Sequence, residues 1–148
     1  MPQIYLEREL PYTQEQLYML VADIESYPQF VPWCIGATID EHHGEYMIAE
    51  LTIGYKGITK RYTSRVHLDH DAYEISVELA QGLFKHLYQG WKFTPLKDGS
   101  TTRVEFDIDF ALRSKLMEKL FAATSKTISD NILNAFVQRA KQVCGPLD

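Results

Sequence analysis

Between Tyr27 and Trp33 four large side chains, Tyr27, Phe30, Val31 and Trp33, lie close together, and Pro28 and Pro32 hold the backbone that carries them. Aromatic rings stack on a flat ligand ring. The chemistry such a segment offers is therefore recognition of a planar apolar molecule, at a gate that swings open over a cavity mouth. The plainer reading is a corner between helix and sheet filled by aromatics. The residue types alone fit both.

The ionisable residues offer less. Cys34 follows Trp33, but no neighbour in the sequence lowers its pKa. Glu50, Asp107 and Asp109 alternate with apolar residues and are expected to face water. His42-His43 stands beside Gly44 in an expected turn, and His67 and His70 surround a second turn with Asp69 and Asp71. A carboxylate–histidine metal site is conceivable there; solvated turn residues are the favoured reading. His86 has no sequence partner of obvious role. No activated nucleophile and no paired acid and base emerge. The expectation is a protein that is not an enzyme and requires no cofactor or metal.

Regular elements must hold these residues in place. Ile4 to Glu9 alternates as a first strand, with Ile4, Leu6 and Arg8 on one face. Thr13 and Gln16 form a capping box, with Tyr12 and Leu17 at the hydrophobic-staple positions. Leu17, Leu20, Val21 and Ile24 then repeat at helical spacing, and Pro28 and Pro32 restrict the Tyr27–Trp33 segment to a short helical turn. A period of two takes over from Met47. Met47, Ala49, Leu51 and Ile53 share one face, and Gly54 and Gly57 bracket a turn. Further strands are expected at Ile58-Asp69, Tyr73-Leu79, Leu87-Phe93 and Val104-Phe110, with a hairpin signal at Asp98-Gly99. From Ser114 to Cys144 a long amphipathic helix is expected, on a stripe through Leu116, Leu120, Phe121, Thr124, Ile128, Ile132, Phe136, Ala140 and Val143. Gly145 and Pro146 supply its stop signal.

The order is strand, two short helices, about six strands as a meander, then a long helix. That implies an α+β fold in which a curved antiparallel sheet wraps the C-terminal helix. Length supports one domain spanning residues 1–148. The 45% hydrophobic and 24% charged residues are an ordinary globular balance. A net charge of -5 argues against broad phosphate binding and hence against DNA as a partner. Two cysteines are too few for a disulfide scaffold. No apolar stretch approaches the roughly 20 residues that span a bilayer. No presequence is evident, which points to a bacterial cytoplasmic protein, peripheral at the inner face of the inner membrane.

The apolar strand face supplies candidate cavity walls: Met47, Leu51, Ile53, Val77, Leu79, Trp91, Phe106, Ile108 and Phe110, set against Leu120, Phe121 and Ile128 of the helix. Lys56, Lys60, Arg61 and Arg65 form a possible surface patch for anionic headgroups or RNA, with Lys85 and Lys92 as further cations. A solvated outer face is the plainer reading.

Several segments stand out as motifs: Val21-Ala22-Asp23, Tyr27 to Cys34, Thr63-Ser64-Arg65-Val66, Gly82 to Leu87, Trp91-Lys92-Phe93, Val104 to Phe110 and Ala135 to Ala140. On these segments the chain resembles the coenzyme-Q-binding START-like family of the helix-grip superfamily. Leu83 stands where the family pattern has proline, and Cys144 where it has tyrosine. The resemblance implies a carrier that binds ubiquinone or a related isoprenoid lipid in a hydrophobic cavity, supports respiratory electron transport and meets a membrane surface transiently. The same family includes ribosome-association toxins that bind the large ribosomal subunit, so a ribosome partner is the alternative. A small-molecule cyclase or hydrolase is a third, weaker one.

Overall fold

Alternation of apolar and polar side chains runs through most of the chain, and it produces one sheet with a buried and a wet face. The computed structural model describes residues 3–55, 57–82, 84–115 and 125–144. Seven strands are described: β1 (Gln3–Leu10), β2 (Cys34–His43), β3 (Tyr46–Tyr55), β4 (Ile58–Asp69), β5 (Glu74–Gly82), β6 (Phe84–Leu96) and β7 (Thr101–Leu112). They lie in the order β1-β7-β6-β5-β4-β3-β2, every neighbouring pair antiparallel. β2 to β7 form a meander, and β1 closes on β7.

Helix α1 (Gln14–Ala22) begins at the expected capping box. The Gln16 amide donates to Thr13 Oγ1 at 3.1 Å, and the Thr13 amide donates to Gln16 Oε1 at 2.9 Å. A 3-10 helix (Ile24–Gln29) follows and contains Pro28. Helix α2 (Ser125–Val143) buries Ser129, Leu133, Phe136 and Ala140, spaced by four, three and four residues, the period that lays one helical stripe on a sheet. The core is the inner sheet face, α1 and this stripe, with Phe93, Phe106, Ile75, Leu133 and Val66 at its centre.

The structure departs from the sequence reading in several places. Cys34–His43, where alternation predicts no strand, is the edge strand β2. It alternates poorly because it exposes most of its residues and carries irregularities between Cys34 and Gly36 and between Ile39 and Glu41. His42 and His43 end that strand, and the turn is Gly44-Glu45. Tyr55, expected in the β3–β4 turn, instead ends β3 and pairs with Ile58. Tyr73, expected in β5, lies in the preceding turn at φ 55. On α2 the buried stripe runs through Ser129 and Leu133, which are absent from the expected stripe; Ile132 is half-buried and Val143, at the helix end, is 54% exposed. Leu116, Leu120, Phe121, Thr124, Gly145 and Pro146 lie outside the described residues, as does Leu83.

Candidate ligand cavity

A cavity of about 120 Å³ lies between the inner sheet face, the segment after the 3-10 helix and α2. Tyr27, Val31, Pro32, Trp33 and Cys34 form one side. Leu51, Ile53 and Tyr62 come from β3 and β4, and Phe84, Leu87, Gln89 and Trp91 from β6. Ile108, Phe110 and Leu112 of β7 and Ile132 and Phe136 of α2 complete the wall. An apolar space of about 150 Å³ accommodates a benzene-sized molecule, whereas drug-sized pockets begin near 300 Å³. A cavity of this volume suits a single ring.

The aromatic segment is braced rather than loose. The Tyr27 hydroxyl donates to the Val21 carbonyl, and the Val31 amide donates to the Tyr27 carbonyl at 2.8 Å. Phe30 turns away from the cavity. It meets Tyr27 and Phe136 edge-on, at 5.9 and 5.1 Å, and the Arg139 guanidinium lies 5.1 Å over its ring. Arg139 also donates to Gln29 Oε1 at 2.9 Å, so α2 grips the segment through both Phe136 and Arg139. Trp33 holds φ 66, a left-handed backbone that costs a bulky residue on the order of 1–3 kcal/mol. Its carbonyl accepts from the Gly54 amide at 2.9 Å, which ties that strained turn to β3.

Of the cavity residues expected from sequence, the structure brings together Tyr27, Val31, Trp33, Leu51, Ile53, Trp91, Ile108 and Phe110. It places Phe30, Met47, Val77, Leu79 and Phe106 off the wall. Met47 is packed in the core, and fully buried Phe106 backs Trp91 with ring centres 4.4 Å apart. Val77 and Leu79 are on the inner face of β5, partly buried against the core. Leu120 and Phe121 lie outside the described residues, and the side chain of Ile128 is likewise not described. Sequence reasoning misses Tyr62, Phe84, Leu87, Gln89, Leu112 and Phe136 as wall residues. For β4, β6 and β7 the signal is present, since each shares its strand's apolar face.

The ionisable groups that the described residues bring to this wall are Tyr27, Tyr62 and Cys34. Desolvation pushes all three up, leaving them neutral at ordinary pH. Among the described residues no group of three or more histidines, cysteines or carboxylates could hold a metal. His70 instead lies 2.8 Å from Glu15, and its ring stacks on Tyr18 at 4.5 Å. His67 sits 3.3 Å from Glu78, and His86 3.0 Å from Asp109.

The described basic residues of the expected patch do not share one face. Arg61 and Arg65 are on the outer face of β4, Lys60 is on the strand's other face, and Lys56 lies outside the described residues. Arg65 is 3.5 Å from Glu78 and 5.7 Å from the centre of the Tyr46 ring. Lys92 stands opposite Glu74 on one neighbouring strand and Glu105 on the other.

Residues 10–137 match the family described as polyketide cyclase / dehydrase and lipid transport. The chain belongs to this family. A ribosome association toxin of Escherichia coli K12, RatA, is 42% identical over 97% of this chain and 89% of its own length. A mitochondrial coenzyme Q-binding protein of Schizosaccharomyces pombe is 29% identical over 90% of this chain and 84% of its own. Among solved structures, an 18 kDa protein of Caulobacter crescentus shares 37% identity at a TM-score of 0.75, covering 99% of this chain and all of that one. An aromatase/cyclase of Streptomyces superposes with a TM-score of 0.81, over 96% of this chain and 95% of that one, at 19% identity, a likeness of fold. This family member thus has the START-like helix-grip architecture, and none of its described helices is long and apolar enough to cross a membrane.

Proposed function

We propose that the protein binds ubiquinone or a related isoprenoid lipid and carries it for respiratory electron transport. The observation that carries this reading is the cavity itself, an apolar room walled by Trp33, Phe84, Trp91 and Phe136 and matched in size to one ring. The coenzyme Q-binding relative supports the same ligand class. The ring is held inside, and the isoprenoid tail extends past the Tyr27–Trp33 segment, because about 120 Å³ holds a ring and not a ring with its tail. Exchange takes place at a membrane surface, with the protein on the cytoplasmic side. No cofactor is required, and no reaction step is assigned. Extraction of the purified protein with organic solvent, followed by mass spectrometry, tests the reading. Recovery of a quinone or isoprenoid supports it; empty extracts together with no binding on titration overturn it.

The relatives named for ribosome association favour a second reading, binding to the large ribosomal subunit with inhibition of translation. The interleaved acids and bases of the outer face require a local contact rather than a broad basic surface. Co-sedimentation with ribosomal subunits at low salt tests it, and protein left at the top of the gradient overturns it.

A further inference from the structure

Polar groups in this core are almost all answered. The Tyr27 hydroxyl has the Val21 carbonyl, the Cys34 thiol faces the Gly36 carbonyl at 3.5 Å, and Thr102 donates to the Tyr12 carbonyl at 2.7 Å. Tyr62 is different. It stands on the inner face of β4, is 9% exposed, and packs edge-on against Phe84 at 5.0 Å. None of the described residues hydrogen-bonds its hydroxyl, which is open to the cavity. Gln89, on the inner face of β6, brings a carboxamide to the same wall, also without a hydrogen bond among the described residues. A hydroxyl that opens onto an apolar wall with no protein partner brings nothing that an apolar residue of the same shape would not, unless something in the cavity meets it. Tyrosine at this position therefore makes sense when something in the cavity accepts its proton.

We infer that Tyr62 is a specificity-determining residue, donating a hydrogen bond to a carbonyl oxygen on the bound ring, with the Gln89 amide as the second polar contact of the site. The inference rests on the proposed lipid-binding cavity and narrows its ligand to rings that carry an acceptor. A ring of the same shape without oxygen fills the space but leaves the hydroxyl unanswered. The tyrosine proton is available throughout the neutral range, because burial holds the phenol well above its ordinary pKa.

The test uses two shape-matched probes, tetramethyl-1,4-benzoquinone and 1,2,4,5-tetramethylbenzene, titrated by chemical-shift NMR into the full chain and into Tyr62→Phe. The expected result is tighter binding of the quinone by the parent protein. Tyr62→Phe is expected to lose about 3- to 10-fold in quinone affinity, the worth of one hydrogen bond, while its affinity for the hydrocarbon stays within about two-fold. Equal quinone affinity in the two proteins overturns the inference, and so does an equal loss for both probes, which would mean that Tyr62 only shapes the wall. Failure of the parent protein to bind either probe overturns the cavity reading beneath it. Stability gives an independent check. Tyr62→Phe is expected to unfold at a denaturant concentration no lower than the parent; a clear drop would reveal a partner for the hydroxyl in the empty protein and refute the inference.

Discussion

A side chain on Gly82 would place its Cβ 2.6 Å from the Cα of Tyr62 and 2.7 Å from the Arg61 carbonyl oxygen. Gly82 is the last residue of β5, paired across the ladder with Tyr62, and its φ of 126 belongs to a region that L side chains rarely enter. The absence of a Cβ lets the two strands approach at the point where Tyr62 enters the cavity. Gly82→Ala is expected to destabilise the protein by at least about 2 kcal/mol, the sum of backbone strain and a clash with unyielding main chain. Gly44→Ala is the control. It shares a positive φ of 62 but meets nothing within 4 Å, so strain alone is expected, at about 1 kcal/mol. Urea unfolding of the two variants separates the effects, and equal losses would contradict the clash.

Phe136 joins α2 to the aromatic segment and to β6, meeting Tyr27 at 5.3 Å, Phe30 at 5.1 Å and Trp91 at 5.0 Å. It is 6% exposed. Phe136→Ala is expected to cost about 3–5 kcal/mol, from lost burial plus the enlarged void. Phe136→Leu, which refills most of the volume, is expected to cost less than half as much. The denaturation midpoints of both variants check this ranking.

Thr102 is fully buried, and its hydroxyl answers the Tyr12 carbonyl just before α1. Thr102→Val keeps the shape and removes the donor. The orphaned carbonyl is expected to cost about 1–3 kcal/mol. The entrance of α1 is expected to loosen with it, seen as faster amide exchange over Leu17 to Val21.

Glu15 receives the His70 ring at 2.8 Å and the Tyr73 hydroxyl at 3.1 Å, tying α1 to the β4–β5 turn. The His70 bond first, then that of Tyr73, holds the Glu15 carboxyl below its ordinary value of 4.5. A carboxyl depressed on folding adds stability above its unfolded pKa, and that stability is lost as pH falls through the folded value. Glu15→Gln is therefore expected to be less stable than the parent near neutrality, with the gap closing as pH falls below 4.5 and through the lowered folded value. The group is solvent-exposed, so added salt is expected to shrink the effect. Urea midpoints measured across the acid range decide it; a gap that widens on acidification would refute the assignment.

Cys34 and Cys144 are both free thiols, and burial raises both, but Cys34 lies in the cavity wall. Alkylation at mildly alkaline pH is expected to modify Cys144 first. A bound ring is expected to slow Cys34 further while leaving Cys144 unchanged, read by mass spectrometry of the labelled peptides.

The meander is legible in the sequence because β3 to β7 each keep one buried and one wet face, and the Thr13–Gln16 capping box marks the start of α1 to the residue. β2 is not legible. Its only fully buried residue is Cys34, and its irregularities break the period that sequence reasoning follows. The site is half legible for a related reason. Alternation assigns Met47, Val77 and Phe106 to the inner face but cannot tell which inner residues touch a void and which touch one another. Gln89 shows the opposite failure, a polar residue at an inward position that apolar counting passes over. Phe30 reads as part of the aromatic segment, yet it faces α2, because the 3-10 turn and the left-handed backbone at Trp33 send neighbouring rings in different directions.

Among the described residues the sheet does not close on itself, and β1 and β2 are its edge strands. The β2 edge is interrupted twice along its length and is studded with Asp40, Glu41 and the two terminal histidines. An incoming strand would find no unbroken row of amides and carbonyls to pair with, and fixed negative charge where it tried to dock. The irregularity that hides this strand in the sequence thus serves a colloidal purpose. In a chain with 12% aromatic residues, such an interrupted, charged edge opposes edge-to-edge pairing into fibres.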